Sequence, residues 1–276
     1  NPITENTITI TANSASKIYD GTPLTNNGFT FTKDVLVEGD VLTAVVEGSA
    51  TNVGDPGVNK VTSYVVTRGN KDVTGNYTFT DSVDGKLTIN KRTVTLTSET
   101  ASKEYDGTPL TKPEVAVTGD GFVAGEVSDI TATGSVTFVH EGEVTNTITY
   151  TTGEKFNADN YTITKNEGKL SITQRTGEGK TITVTANSDE KVYDGAPLTN
   201  NGFIHAGALV EGDVLTAVVE GSQTDVGVGD NVVKSYKVMR GETDVTTSYT
   251  FADSVKGALT VTLRDVTFTG GSKALP

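Results

Sequence analysis

The 276-residue sequence has no cysteine, no tryptophan, one methionine and two histidines. Without cysteine there are no disulfides, thiolate metal sites or thiol nucleophiles. Such a chain suits an oxidising exterior, where it has no bridges to scramble. His140 and His205 stand far apart at non-equivalent places, so a zinc site has no histidine pair to build on. Apolar runs approaching the roughly 20 residues of a membrane span are missing as well. No signal-peptide pattern opens at Asn1-Pro2-Ile3, so the targeting parts of a secreted protein would lie outside this sequence.

Positive charge is scarce too. Against 22 Lys and Arg stand 35 Asp and Glu, a formal charge of −13 spread along the chain, with an isoelectric point of about 4.6. A polyanion would be repelled, and no basic cluster interleaved with aromatics offsets that field, so nucleic acid is not an expected partner. An anionic bilayer surface is disfavoured for the same reason. There is no Gly-x-Ser-x-Gly elbow and no glycine-rich loop ahead of a helix to cradle phosphate. Carboxylates are abundant, but none stands in the aromatic-rich setting a glycosidase needs. The expectation is a protein that is not an enzyme, with no catalytic, cofactor-binding or metal-binding residues.

What is present is repetition. Lys17-Ile18-Tyr19-Asp20-Gly21-Thr22-Pro23-Leu24-Thr25 returns as Lys103-Glu104-Tyr105-Asp106-Gly107-Thr108-Pro109-Leu110-Thr111 and as Lys191-Val192-Tyr193-Asp194-Gly195-Ala196-Pro197-Leu198-Thr199. A second landmark closes each copy: Asn76-Tyr77 with Gly85-Lys86-Leu87, Asn160-Tyr161 with Gly168-Lys169-Leu170, and Ser248-Tyr249 with Gly257-Ala258-Leu259. Two ordered landmarks recurring three times mark a tandem array. Copies one and three share an identical stretch from Glu38 and Glu211 to Ser49 and Ser222, while copy two diverges between Lys112 and Phe156. The expected modules are 1–92, 93–175 and 176–264. Residues 265–276 read as the start of a further repeat or a tail, because Arg264-Asp265-Val266-Thr267 echoes Arg92-Thr93-Val94-Thr95.

Within a copy, short runs alternate apolar and threonine residues, the signature of one-sided strands. Thr7–Thr11, Val94–Thr97 and Thr181–Thr185 are the clearest; copy one adds Phe29–Thr32, Val41–Glu47, Lys60–Thr67, Tyr77–Thr80 and Lys86–Asn90. No window has helical apolar spacing. An all-β fold is expected, a linear array of three small β-sandwich modules, with a β-grasp-like sheet as the alternative. The first junction, Leu87 to Leu96, leaves no room for a free linker, whereas Thr176-Gly177-Glu178-Gly179 at the second allows a hinge or a turn. At about 3.3 Å per residue each module would be roughly 30 to 40 Å long, and the array a monomeric rod of roughly 100 Å.

Tyr-Asp-Gly admits two readings. Asp20-Gly21, Asp106-Gly107 and Asp194-Gly195 supply a tight hairpin turn, with Tyr19, Tyr105 and Tyr193 burying their rings and hydrogen-bonding backbone; otherwise the Tyr/Asp pair faces a ligand. The Lys-x-Tyr-Asp-Gly opening, the Glu38-Gly39-Asp40-Val41 segment, the Asn52-Val53-Gly54 and Asp225-Val226-Gly227 turns and the closing Asn-Tyr…Gly-x-Leu resemble the YDG/MBG-type repeat modules of bacterial surface adhesins, over nearly the whole chain. That resemblance implies secreted or wall-anchored proteins of the extracellular bacterial surface, with Ig-like modules serving as stalk or adhesive repeats.

The same resemblance suggests Lys–Asn isopeptide cross-links, for which Lys17 with Asn76 and Lys103 with Asn160 are the candidates; Ser248 breaks the pattern in copy three. Calcium, the usual ion of acidic extracellular rods, could draw on Asp225, Asp230 and Asp244, but no EF-hand-like loop is present and these read better as solvated turns. The functional expectation is a spacer projecting a distal binding domain. Its rival is a module that itself binds a host or environmental glycan, mucin or matrix protein through the divergent 119–151 segment, where Phe122, Phe138 and Tyr150 are either contacts or core.

Overall fold

The computed structural model describes residues 7–32 and 35–271, and the fold is all-β. Among the described residues, helical geometry is confined to the single 3-10 turns Thr74–Asn76, Val139–Glu141, Ala158–Asn160 and Thr246–Ser248. The β-grasp-like alternative, which needs a helix across its sheet, is thereby set aside. Threonine and valine in strict alternation favour the pleated backbone, and no segment presents an apolar stripe at helical spacing.

The first repeat builds two facing layers. In one, Thr7–Ile8 runs parallel to Thr78–Phe79 and Ile10–Ala12 antiparallel to Phe29–Phe31. In the other, Ala15–Ile18, Gly85–Asn90, Val58–Arg68 and Asp40–Glu47 lie side by side in that order. The first of these pairings is parallel and the others antiparallel. Ile8 and Ile10 from one layer meet Leu42 and Val66 from the other, all nearly inaccessible. Alternation decides which side chains go inward, so Leu42 and Val46 are buried while Val41 and Val45 face solvent. The third repeat copies this plan. Thr183–Ala186 pairs with Phe203–Ala206, and a sheet of Asp189–Val192, Gly257–Thr262, Gly227–Arg240 and Asp213–Glu220 covers Ile182, Val184, Leu215 and Val238.

The chain groups into two compact units, one of Asn1–Ser98, Glu114–Ala132 and Ile148–Glu167, the other of Glu99–Pro113, Thr133–Thr147 and Gly168–Pro276. The repeat boundaries expected after residues 92 and 175 each fall inside one of these units. In the first unit Arg92–Ser98 lies between Val115–Gly119, antiparallel, and Tyr161–Asn166, parallel. Only Lys91 separates Arg92 from the preceding strand Gly85–Asn90, as the absence of a linker requires. In the second unit Lys169–Thr173 lies between Ala101–Glu104, parallel, and Val144–Thr145, antiparallel. The glycines of its 176–179 segment form a closed turn, with the Lys180 N–H donating to the Gly177 carbonyl.

The closing Gly-x-Leu landmark has a steric cause. A Cβ on Gly85, Gly168 or Gly257 would lie 2.4, 2.3 or 2.3 Å from the carbonyl oxygens of Asn13, Glu99 and Asn187. The same hairpins are pinned by buried asparagines. Asn59 donates its Nδ2 to the carbonyls of Asn13 and Asn26, Asn146 to those of Glu99 and Lys112, and Asn231 to those of Asn187 and Asn200. Each pin satisfies two backbone oxygens that burial would otherwise leave unpaired.

Candidate functional site: a tyrosine joint at each repeat boundary

The Tyr-Asp-Gly turn is built around its aspartate. Asp20 Oδ1 accepts the Thr22 N–H at 2.9 Å, the Thr22 hydroxyl at 2.7 Å and the Lys17 ammonium at 2.7 Å. Asp106 repeats this with Thr108 and Lys103. Asp194 does so with Lys191 and the Ala196 N–H, where alanine removes the hydroxyl. The lysine ammonium, and then the threonine donors, hold Asp20 well below the usual carboxylate range, and the Lys103 ammonium brings Asp106 down to about 2. This differs from the expected hairpin. The strand ahead of the turn pairs parallel with the closing strand, so the chain leads away instead of doubling back, and an Asx turn with a left-handed glycine makes the corner.

That corner aims the tyrosine at the next repeat. In the first unit Tyr19, 4% exposed, donates its hydroxyl to Glu126 Oε1 at 2.6 Å, and Tyr161 donates to Glu126 Oε2 at 2.6 Å. The two rings meet edge to face, centroids 5.6 Å apart and planes at 80°. The Val123 N–H donates to the Tyr161 hydroxyl at 3.1 Å. Burial, and then the glutamate, push Tyr19 up to about 12; the same causes in the same order raise Tyr161. Asn160 completes the contact, its Nδ2 on Asn52 Oδ1 at 2.9 Å and its Oδ1 accepting the Val53 N–H at 2.8 Å. Arg92 ties the Tyr19 carbonyl (3.2 Å) to that of Gly121 (2.7 Å).

The second unit repeats the arrangement. Tyr105, fully buried, donates to Asp213 Oδ2 at 3.0 Å, and the Tyr249 hydroxyl donates to the same oxygen. The rings lie 5.7 Å apart at 74°. Arg240 Nε sits 2.7 Å from Asp213 Oδ1 and donates to the Tyr105 hydroxyl at 3.0 Å. Arg175 takes the place of Arg92, reaching the Tyr105 carbonyl at 3.3 Å. Burial raises both tyrosines. Ser248 replaces the asparagine, and the turn Val139–Glu141 packs against it.

The isopeptide candidates lie in separate networks. Lys17 and Lys103 hold their own Asx turns, Asn160 bonds Asn52 and Val53, and Asn76 ends a 3-10 turn at the rim of a surface cavity. Phe122 packs on Tyr161 and Tyr150, and Phe138 lies against Tyr105 and stacks on His140. Asp244 caps Thr246, and Asp230 pairs with Lys256. The acceptors Glu126 and Asp213 are the residues sequence reasoning missed. Their signal is a Gly-Asp/Glu-Val triplet present in every copy: Gly39-Asp40-Val41, Gly125-Glu126-Val127 and Gly212-Asp213-Val214.

Together these features define an all-β tandem-repeat chain in which each of the first two Tyr-Asp-Gly tyrosines is sealed against a carboxylate of the following repeat. Residues 8–88 match the family model described as MBG domain (YGX type), which bears out the resemblance over the first repeat. No curated protein matches the chain. Among solved structures, the N-terminal four Ig domains of Dscam1 isoform 7.44 align over 94% of this chain and 72% of that one. That alignment has 8% identity and a TM-score of 0.19, too distant to bear on the architecture.

Proposed function

We propose that the chain is a stalk segment of a secreted or wall-anchored bacterial adhesin, a non-enzymatic spacer that projects a distal binding domain. The observation that carries this reading is the buried tyrosine joint. A hydroxyl–carboxylate contact sealed by an edge-to-face ring resists bending and rotation about a repeat boundary, which is what a spacer requires and a chain of loosely strung domains lacks. The MBG-domain match over 8–88 agrees with a surface-protein repeat. Small-angle scattering of the full chain tests it: a maximum dimension of roughly 100 Å is expected from the strand lengths, and a compact particle overturns it.

A second reading, that the repeats themselves bind a glycan or matrix protein, draws on one observation. The outward valines Val41 and Val45, and their counterparts Val214 and Val218, form half-exposed apolar stripes on the face of each sheet turned away from the core. Binding on a glycan or matrix-protein array that disappears in the full chain carrying Val45→Lys and Val218→Lys supports this reading; silence on the arrays favours the spacer.

A further inference from the structure

Asparagine followed by glycine occurs twice in the sequence, at Asn27-Gly28 and Asn201-Gly202. Such a pair carries its own chemistry, because no Cβ shields the glycine nitrogen from the asparagine side-chain carbon. Both asparagines are exposed. Each stands just ahead of a strand that packs on a core, Phe29–Phe31 in the first repeat and Phe203–Ala206 in the third. The fold leaves the glycine no substitute. A Cβ on Gly28 would lie 2.5 Å from Asn13 Nδ2 and 2.9 Å from Asn26 Oδ1, and one on Gly202 2.5 Å from Asn187 Nδ2 and 3.0 Å from Asn200 Oδ1.

The same turn restrains the reactive nitrogen. The Gly28 N–H donates to Asn26 Oδ1 at 2.8 Å, and the Gly202 N–H to Asn200 Oδ1 at 2.8 Å. The main chain is fixed on both sides of this contact. The Asn13 N–H donates to the Gly28 carbonyl at 2.9 Å and the Asn187 N–H to that of Gly202 at 3.0 Å, while Asn59 and Asn231 hold the carbonyls of Asn26 and Asn200. A nitrogen that donates its proton to a side-chain oxygen is not free to attack the neighbouring amide. In the middle repeat Asn146 pins the Lys112 carbonyl in the same way, but Pro113-Glu114 follow, so the pin itself does not call for Asn-Gly.

We propose that Asn27 and Asn201 are sites of spontaneous deamidation, and that the side chains of Asn26 and Asn200 are latches that set its rate. When a latch opens, the glycine nitrogen gives up its proton to solvent and attacks Cγ of the preceding asparagine. The bond from Cγ to the side-chain nitrogen breaks, and that nitrogen takes a proton from water and leaves as ammonia, giving a cyclic succinimide. Water then opens the ring at one carbonyl or the other, to aspartate or to isoaspartate. Either product adds one negative charge to a chain already at −13. Isoaspartate also lengthens the main chain by one methylene between the pinned carbonyl and the strand that follows. The register of Phe29–Phe31 on Ile10–Ala12, or of Phe203–Ala206 on Thr183–Ala186, must then shift or the pin must release. The outer two repeats would age in this way and the middle one would not.

Peptide mapping by mass spectrometry, after incubation of the full chain in mildly alkaline buffer, reads each site separately. Both sites should convert several-fold more slowly in the folded chain than in the same chain unfolded in guanidinium chloride. Asn26→Ala should speed conversion at Asn27 roughly fivefold, the weight of one hydrogen bond, and leave Asn201 unchanged; Asn200→Ala should do the reverse. Asn26→Asp, which keeps the acceptor oxygen, should retain the slow rate. Aspartate and isoaspartate should both form, as opening of a succinimide requires. If an alanine variant loses its β-sheet circular dichroism, amide exchange of the wild type decides: the Gly28 and Gly202 N–H groups should be protected, and exchange at the unfolded rate overturns the proposal. Folded chain that converts as fast as unfolded chain, rates indifferent to the latch substitutions, or aspartate as the sole product each overturn it as well.

Discussion

At the scale of single residues, each joint sets two buried phenols on one carboxylate. Tyr105 is fully buried and touches Asp213, Arg240 and the ring of Tyr249. Tyr105→Phe keeps the ring and loses the hydroxyl, for an expected cost of about 1–2 kcal/mol. Tyr105→Ala also leaves a cavity and should cost about 3–5 kcal/mol. Tyr193→Phe, where the ring is partly exposed, should change stability by less than about 0.5 kcal/mol. Urea unfolding of the three variants measures the contrast. Tyr19 also predicts an alkaline limit. Its proton is bound more tightly in the folded state, about 12, than in the unfolded chain, where tyrosine titrates at about 10. The stabilisation is therefore complete below pH 10 and is lost as pH rises from about 10 to about 12. Absorbance at 295 nm should show exposed tyrosines ionising first, and Tyr19, Tyr105, Tyr161 and Tyr249 only together with loss of β-sheet circular dichroism. Early ionisation of all nine tyrosines would mean that the joints are open.

At the scale of elements, two devices hold each hairpin against the closing strand: a glycine with no room for Cβ and an asparagine that satisfies two carbonyls. Gly168→Ala would press a methyl group into the Glu99 carbonyl, and overpacking of this kind costs about 1–3 kcal/mol. Asn59→Ala would leave the Asn13 and Asn26 carbonyls unpaired, at about 1–3 kcal/mol. Both effects should appear as lower urea midpoints, and Asn59→Ala as faster amide exchange in Ile10–Ala12 and Phe29–Phe31. The Lys–Asp clamps are exposed and set the direction of the turn more than its stability. The contribution of Asp106 is present above its unfolded pKa of about 4 and is lost as pH falls from about 4 to about 2.

At the scale of the whole molecule, two of the apolar cores run across a repeat boundary. One links Leu87 and Ile89 of the first repeat to Val94, Leu96 and Tyr161 of the second; the other links Leu170 and Ile172 to Ile182, Leu215 and Tyr249. A repeat cut out of this chain would expose one of those faces, so stability should be shared between neighbours. Tyr19→Ala is expected to speed amide exchange in Gly85–Asn90 and Tyr161–Asn166, and to leave exchange in Asp213–Glu220 and Gly257–Thr262 unchanged. Uniform acceleration along the chain would argue against nearest-neighbour coupling. Among the described residues no helix is long and apolar enough to cross a membrane.

Local chemistry was enough to read the repeats, the all-β class and most strands. The alternation that marks Val41–Glu47 and Lys60–Thr67 in the sequence is the same alternation that buries Leu42 and Val66. The strands Ala15–Ile18, Ala101–Glu104 and Asp189–Val192 escaped, because their side chains are mostly polar and they form by parallel pairing with a strand some 70 residues later. The opening motif was legible as Tyr-Asp-Gly, but its role was not. Whether a tyrosine turns to backbone, ligand or neighbour depends on what stands opposite it, and Glu126 and Asp213 lie 107 and 108 residues beyond Tyr19 and Tyr105. Spacing along a chain fixes which side of a strand a residue occupies. Only the folded layers decide which carboxylate meets which phenol, because burial pairs the polar groups that folding brings together and leaves Tyr193 facing solvent.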